Sequence, residues 1–482
     1  MMLKPADEAA GFDLLPGGEV AFERILRRID EARHSILVRC FEWRDDETGQ
    51  ALASALLRAA DRGVVVRILK DRVGMHYEYL EDARQSFFHK RIALLPRLQT
   101  WFLMASYGRW GSLRQKPSPI ADALLAHPQV TVAADHKRFD HAKLYIFDDE
   151  TVILGGMGIG DDFRYVNVDF MIEVSGADAA RRLADRYEGR AAFDPQRRFD
   201  YLLCSFQAGD AQGAGDSPLA RQRLDLLASA RRTLTIEMAY LGDPACTDAL
   251  VAAVDRGVAV TLLTGAHANI IGDLNRKTCN QILRRVLHPD RLRIVLHPRM
   301  VHGKAIVVDG EVTDIGSTNF TPLSHGSYEE VDLYCRDPEL ARKVEAAIER
   351  DIQDGEVVRA RVAYRRAYAF VERLLSVHQG RPKRVLPHER LSLLTGVPRV
   401  LGQGAQGLEH AGQRGGNGEA GPAGRTQQGD GQQGYLHPEA GRPRKVGDPH
   451  VRDEVVERAT RGVARQKDED RHRRRVTSPE GR

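Results

Sequence analysis

Cysteine is scarce in this chain, and none of it is paired in sequence. The five residues (Cys40, Cys204, Cys246, Cys279, Cys335) contain no C-x-x-C. That argues against a disulfide framework and a zinc site, and it suits a reducing compartment. Long apolar runs are missing as well: nothing approaches the ~18 residues that a spanning helix needs. The stretch Met1–Ala10 carries Asp7 and Glu8 and has no apolar centre, so it does not read as a signal peptide. The expectation is a cytoplasmic protein that meets any membrane, such as the inner face of a cell membrane, peripherally. Charge of one sign is also lacking in the body. Residues 1–380 hold 51 Lys+Arg against 54 Asp+Glu, and the net +4 comes from residues 381–482, with 20 against 13. A slightly acidic body does not suit a large nucleic-acid-binding face.

What the chain does have is one motif, twice. His141-Ala142-Lys143 is followed by Asp148 and by Gly155-Gly156; His302-Gly303-Lys304 is followed by Asp309 and by Gly316-Ser317. Both copies fit H-x-K-x4-D-x6-G-[GS], 161 positions apart. The repetition extends further. Ala32-Arg33 matches Ala230-Arg231, Asp61-Arg62-Gly63-Val64 matches Asp255-Arg256-Gly257-Val258, and His127-Pro128 matches His288-Pro289. The offset falls from 194 at the Asp-Arg-Gly-Val segments to 161 at the motifs, so the first copy carries 33 additional residues between about Lys70 and His127.

Each copy alternates helical and strand periodicity. Ala21–Ala32 has Phe22, Ile25, Leu26 and Ile29 at helical spacing, Ile36–Phe41 is a buried strand run, Gly49–Arg62 is a helix stopped by Gly63, and Val64–Leu69 is a β-branched strand. The expected fold is α/β, built as two copies of one unit. The expected divisions are 1–206 for the first repeat (insertion about 72–116), 207–217 for a connector, 218–375 for the second repeat and 381–482 for a tail. From Leu401 on, 16 of 82 residues are Gly and only Tyr435 is aromatic, which predicts disorder.

Within predicted strands Asp140–Phe147 and Val301–Val308, each motif His and Lys share one face. A phosphodiester repels nucleophiles through its negative charge. Lys143 and Lys304 can offset that charge and the larger charge of the pentacoordinate transition state. One imidazole can attack phosphorus while the other manages the proton of the leaving and entering alcohols. No metal or other cofactor is required. Asp169 lies 28 residues after His141, and Glu330 lies 28 after His302. They occupy one structural position in the repeat and are assigned as orienting partners of the two histidines. The glycines after each strand suit a tight turn or a close backbone approach to phosphate.

These duplicated motifs resemble the phospholipase D superfamily, and within it the bacterial phosphatidyltransferases of the cardiolipin synthase type, over about Gly11 to Ala360. The resemblance implies two phospholipase D-like α/β/α lobes related by pseudo-twofold symmetry with the active site at their seam, a phosphohistidine intermediate, structural roles for Asp148 and Asp309, and phosphate contacts from Ser317 and Asn319. It implies a phospholipid substrate with an alcohol or water as acceptor. The chain departs from the pattern in three ways. Gly158 stands where the second copy has Asn319, Ala142 and Gly303 replace a frequent basic residue, and the usual N-terminal membrane helices are missing. A metal-independent nuclease or other phosphodiesterase, and a non-catalytic lipid- or nucleic-acid-binding protein, are the competing readings.

The insertion concentrates aromatic and basic residues. Arg84–Lys116 contains Arg84, Lys90, Arg91, Arg97, Arg109, Arg114 and Lys116 and no acid, with Phe87, Phe88, Trp101, Phe102, Tyr107 and Trp110 among them. That mixture fits contact with an anionic membrane, while a flap packed on its own domain fits equally well. Trp43-Arg44-Asp45-Asp46 is read as either a border of the site or a surface loop.

Overall fold

The computed structural model describes residues 10–80, 85–107, 113–114, 116–134, 139–205 and 217–376. The tail at 381–482 and all of the expected connector except Ser217 lie outside the described residues. The first lobe runs β1 (Gly11–Pro16), α1 (Gly18–Glu31), β2 (Ser35–Cys40), α2 (Glu47–Asp61), β3 (Val65–Lys70), α3 (Met75–Glu78), α4 (Leu94–Ser106), α5 (Pro119–Ala126), β4 (Val130–Ala133), β5 (Leu144–Phe147), β6 (Thr151–Gly155), α6 (Asp161–Tyr165), β7 (Phe170–Ser175) and α7 (Ala177–Tyr187). The second runs β8 (Phe199–Cys204), α8 (Pro218–Ser229), β9 (Thr233–Met238), α9 (Pro244–Asp255), β10 (Ala259–Gly265), α10 (Gly272–Arg285), β11 (Leu292–His297), β12 (Lys304–Val308), β13 (Val312–Gly316), α11 (Pro322–Gly326), β14 (Glu330–Cys335), α12 (Pro338–Gln353), β15 (Glu356–Val357) and α13 (Arg366–Leu375).

The two sheets have one topology. The first is ordered β4-β3-β2-β5-β6-β7-β1; the second is β11-β10-β9-β12-β13-β14-β8, with β15 added beyond β11. In both, the first two strands after the opening helix are parallel, and the motif strand joins them antiparallel (β5 on β2, β12 on β9). Strand β8 pairs with β14 as β1 pairs with β7. The second sheet therefore starts ahead of the division at 206, with Phe199-Asp200-Tyr201-Leu202 taking the place of Phe12-Asp13-Leu14-Leu15.

Helix boundaries follow local chemistry. The carboxylates of Asp46 and Asp243 cap α2 and α9 by accepting from Gly49 and Ala245 N–H. Gly63 and Gly257 leave the same helices with positive φ. Helices α1 and α2 pack Phe22, Ile25, Leu52 and Leu56 on the outer face of the first sheet, and α8 and α9 do the same for the second with Leu227 and Leu250. The inner faces of both sheets share a third core with α7 and α12, in which Leu144 and Ile172 of the first lobe join Val307 and Leu333 of the second. Burying that common apolar surface fixes the lobes against each other and so defines the seam.

At the seam the expected strands are shortened. β5 begins at Leu144 and β12 at Lys304, so both histidines stand just ahead of their strands. The preceding segments are diverted across the seam. Asp140 bridges to Glu329, and Val301 bridges to Val168. These pairs interchange under the 161-residue offset, so one geometry occurs twice.

Candidate active site

The diverted segments bring each histidine to the other lobe's carboxylate. His141 N–H donates to the Glu329 carbonyl at 2.9 Å, and His302 N–H donates to the Val168 carbonyl at 2.7 Å. Glu330 and Asp169 are the next residues. His141 Nδ1 lies 3.0 and 3.1 Å from the two Glu330 carboxylate oxygens, and His302 Nδ1 lies 2.8 Å from Asp169 Oδ2. The 28-residue spacing identifies an equivalent position in each repeat but not whose partner each acid is; the pairs are crossed. Engaging Nδ1 leaves Nε2 of each ring for chemistry. Lys143 and Lys304 each donate to their own motif histidine's carbonyl, at 2.6 and 2.5 Å. Lys304 Nζ is also 3.1 and 3.3 Å from the two ring nitrogens of His302.

Burial sets the protonation of these groups. It holds both imidazoles well below their ordinary value, with the two lysine ammonium groups pushing further the same way. Burial pushes the Asp169 carboxyl up to about 6 and the Glu330 carboxyl up to about 7. It brings the Lys143 amine down to about 7 and the Lys304 amine down to about 8. A neutral imidazole is the form that can attack phosphorus.

The phosphate contacts implied by resemblance separate into two kinds. Asn319 lines the cleft in front of the histidines. The Ser317 hydroxyl instead donates to Glu330 at 2.5 Å and accepts from Val331 N–H, so it holds the carboxylate behind His141. Gly158, the counterpart of Asn319, lies against the Phe163 ring; a Cβ there would come within 2.6 Å of it. Phe163 in turn meets His302 edge-on at 5.2 Å. Asp148 and Asp309 stand in turns away from the chemistry. Asp148 accepts from the N–H groups of Arg33, His34 and Ser35, and Asp309 from those of Arg231, Arg232 and Thr233. Each ties the helix-to-strand corner to its motif strand. Gly155, Gly156 and Gly316 serve close packing of protein on protein. A Cβ on Gly156 would lie 2.8 Å from Asp169 Oδ1, and one on Gly316 would lie 2.1 Å from Asp332 Oδ1.

Beneath the motifs lies a layer in which the lobes differ. Buried Arg39 donates to Asp140 and to Glu329, the residues preceding His141 and Glu330. Its counterpart by register is Glu237, and Val301 and Val168 stand at the positions equivalent to those acids. Burial pushes the Glu237 carboxyl well above its ordinary range. A Cβ on Gly303 would lie 2.1 Å from Glu237 Oε1, which explains why a larger residue does not stand between His302 and Lys304.

The histidines open onto a cleft of about 450 Å³ whose walls are largely apolar. Phe41, Phe139, Leu323 and Tyr328 lie close to His141; Tyr328 stacks on its ring at 5.4 Å. Farther out, Phe102 and Leu103 come from α4, and Val371 and Leu375 come from α13. Among the described residues no Lys or Arg lines it. Sequence reasoning missed α13 as part of the cleft. Trp43 and Arg44 are buried, neither bordering the cleft nor forming a loop surface: Trp43 stacks on Phe87, and Arg44 pairs with Glu42 and Asp162. That contact removes Phe87 from any membrane role, while Trp101 and Phe102 are exposed. Arg84, Arg109 and Trp110 lie outside the described residues. Asp243, Cys246 and His325 cluster at metal-ligating distances. His325 Nδ1 is already paired with Asp243 at 2.6 Å, and the Arg223 guanidinium lies 3.5 Å from its other nitrogen, which disfavours a cation there.

Two motif histidines on one cleft, each held by the other lobe's carboxylate, together with the duplicated fold, fit the phospholipase D class of enzymes. Within that class it belongs to the family described as cardiolipin synthase, PLD-like domain, whose model matches residues 25–190 and 224–352. The major cardiolipin synthase of Bacillus subtilis (strain 168) is 22% identical over 379 residues, covering 70% of this chain and 68% of that protein. Cardiolipin synthase A of Pseudomonas putida (strain W619) is 28% identical over 366 residues, covering 71% and 68%. The crystal structure of phosphatidylserine synthase from Haemophilus influenzae Rd KW20 shares the fold, with a TM-score of 0.55 at 15% identity, over 77% of this chain and 93% of that one.

Proposed function

We propose that the protein transfers a phosphatidyl group from a phospholipid to an alcohol, with phosphatidylglycerol as donor and acceptor and cardiolipin as product. His141 Nε2 attacks phosphorus, the bond from phosphorus to the headgroup oxygen breaks, and His302 gives that oxygen a proton. The acceptor alcohol then attacks the phosphatidyl-histidine, returns a proton to His302, and releases His141. Lys143 and Lys304 offset the charge on the non-bridging oxygens. For this balance His302 enters the first step as the imidazolium, protonated from solvent as the anionic diester binds beside it, with Asp169 holding Nδ1 and the Nε2 proton going to the leaving oxygen. Water in place of the alcohol gives phosphatidic acid by the same route. Contact with an anionic membrane surface through the insertion belongs to this reading.

The observation that carries the proposal is the cleft. An apolar channel that ends on two histidines, with no Lys or Arg among its described lining residues, suits a diester with acyl chains. A nucleic acid would need cations along its path. The test is product analysis by mass spectrometry on phosphatidylglycerol vesicles with glycerol and without added metal. Cardiolipin, or a new phosphatidyl-alcohol, should form and disappear in both His141→Ala and His302→Ala. Phosphatidic acid alone would make the enzyme a hydrolase. Untouched lipid, with cleavage of single-stranded DNA, would replace the proposal with the nuclease reading. Trapping the phosphohistidine on His302 would reverse the two roles.

A further inference from the structure

Two helices far apart in sequence flank the mouth of the cleft, and each exposes an apolar stripe. On α4, Leu94, Leu98, Trp101 and Phe102 follow i, i+4, i+7, i+8 spacing and are exposed, Leu98 by 54% and Phe102 by 68%. Its buried residues, Thr100 and Met104, lie on the other side. On α13, Phe370, Val371, Leu374 and Leu375 form the corresponding stripe, Phe370 being 61% exposed. The other side of α13 is fixed to the second lobe, where Glu372 accepts from Leu274 N–H at 2.7 Å and Arg365 pairs with Asp273 at 2.9 Å. The Tyr107 hydroxyl, just past α4, accepts from Ile271 N–H at the start of α10 at 3.4 Å, drawing the two helices to one rim.

We infer that α4 and α13 together dock the enzyme on an anionic phospholipid bilayer, with the cleft mouth facing the lipid. This rests on the phosphatidyl-transfer reading and adds a second docking element, α13, that the insertion alone does not supply. Three observations select a bilayer. The stripes run into the cleft through Phe102, Val371 and Leu375, so apolar surface is continuous from the exposed rim to the histidines. A diacyl lipid can then place its phosphate at His141 while its chains stay in an apolar environment. The flanks are basic: Arg91 and Arg97 are exposed in a stretch, residues 85–107, that has no acid and whose one lysine, Lys90, is paired with Asp45, and exposed Arg366 and Arg373 flank the α13 stripe. Exposed apolar stripes with cationic edges match an anionic interface. Finally, Leu94, Leu98, Phe370 and Leu374 remain exposed, with no described element covering them.

The test uses the full chain and Leu94→Asp/Leu98→Asp/Phe370→Asp/Leu374→Asp, four exposed positions that do not line the cleft. Flotation with phosphatidylglycerol vesicles should fall ~10-fold or more in the variant, and wild-type binding should weaken with salt and on phosphatidylcholine vesicles. Turnover of vesicle substrate should fall in parallel. Turnover of a monomeric short-chain phosphatidylglycerol should stay at the wild-type level. Equal flotation and vesicle turnover by variant and wild type would overturn the inference. So would a wild-type dimer that the substitutions split without changing flotation, since the stripes would then join two copies. If wild type fails on both the monomeric and the vesicle lipid, the phosphatidyl-transfer reading fails instead. Flotation alone then still decides the docking face.

Discussion

Arg39→Met should destabilise the protein far more than most single substitutions, and the loss should depend on pH in a defined direction. Arg39 is 2% exposed and holds two carboxylates that are themselves almost fully buried, Asp140 at 2.6 Å and Glu329 at 2.8 Å. Removing the guanidinium leaves both acids in a low-dielectric seam without a counter-charge. Breaking a buried pair from one side costs about 3–5 kcal/mol. For a folded body of this size that corresponds to a fall of roughly 5 °C in Tm. The assay is urea and thermal unfolding of wild type, Arg39→Met and the triple variant Arg39→Met/Asp140→Asn/Glu329→Gln.

The triple variant should recover at least half of the loss. Its carboxamides are neutral but keep the shape, and the carboxamide oxygen introduced by Asp140→Asn can still accept from the Ala142 N–H, which Asp140 Oδ1 now receives at 3.1 Å. The pH sign follows from linkage. In Arg39→Met the two buried carboxylates have lost their counter-charge, and protonation removes the charge that burial penalises. The penalty is therefore absent at low pH, where both states are protonated, and grows as pH rises through the unfolded values. The gap to wild type should be smaller near pH 5 than near pH 8. A loss under about 1 kcal/mol at neutral pH, or a gap that widens on acidification, would refute the reasoning that this pair is desolvated and mutually dependent.

The crossed acids should act on catalysis more than on folding. Glu330→Gln should slow formation of the phosphohistidine, and Asp169→Asn should slow protonation of the leaving alcohol, each by about 10²-fold or more. Rapid-quench trapping separates them, and equal effects on both steps would argue against divided roles. The pH profile of kcat/KM should be a narrow bell. Activity falls as pH drops through the Glu330 and Asp169 carboxyls, about 7 and about 6, because the charged acids that orient the imidazoles become neutral. It falls again as pH rises through the Lys143 and Lys304 amines, about 7 and about 8, because the cations that meet the diester are lost. A flat profile to about pH 9 would count against both lysines as phosphate ligands. Asp309→Ala should leave kcat near wild type but cost about 1.5–3 kcal/mol of stability, because three backbone N–H groups lose a charged acceptor. Since its folded pKa is depressed, that contribution is present at neutral pH and disappears as pH falls through the folded value. An unchanged urea midpoint at neutral pH, or a substantial loss of kcat, would count against that corner role.

Much of this arrangement was legible before any coordinates, because a repeat lets one copy interpret the other. The motif spacing, the shared helix-strand order and the 33-residue surplus of the first copy all come from matching residues. The crossing of partners did not, since equal spacing to Asp169 and Glu330 is the same whether each acid serves its own histidine or the other. That is decided by two backbone bridges, Asp140 to Glu329 and Val168 to Val301, between segments of different lobes. Strand β8 was missed because it precedes the stretch at 206–216 that looked like a linker, although Phe-Asp recurs at Phe12-Asp13 and Phe199-Asp200. The fate of Phe87 was illegible for a similar reason. Composition marks an aromatic residue as available, and only packing shows that Trp43 has already claimed it.

The crossing also limits what either repeat can do by itself. A lone first lobe would hold His141 without Glu330, and Asp169 without His302; each imidazole would lose the group that fixes its tautomer. A single repeat could complete the site only by pairing with a second copy, and such a pair would be symmetric. Here covalent joining has freed the two supports to differ. Arg39, Asp140 and Glu329 on one side answer to Glu237, Val301 and Val168 on the other, and Ser324 beside Glu330 answers to Phe163 beside His302. The reacting pairs themselves, His141 with Lys143 and His302 with Lys304, remain identical. Asymmetry thus reaches the layer that sets orientation and proton affinity, which is where a nucleophile and an acid must differ if one imidazole is to attack while the other delivers a proton.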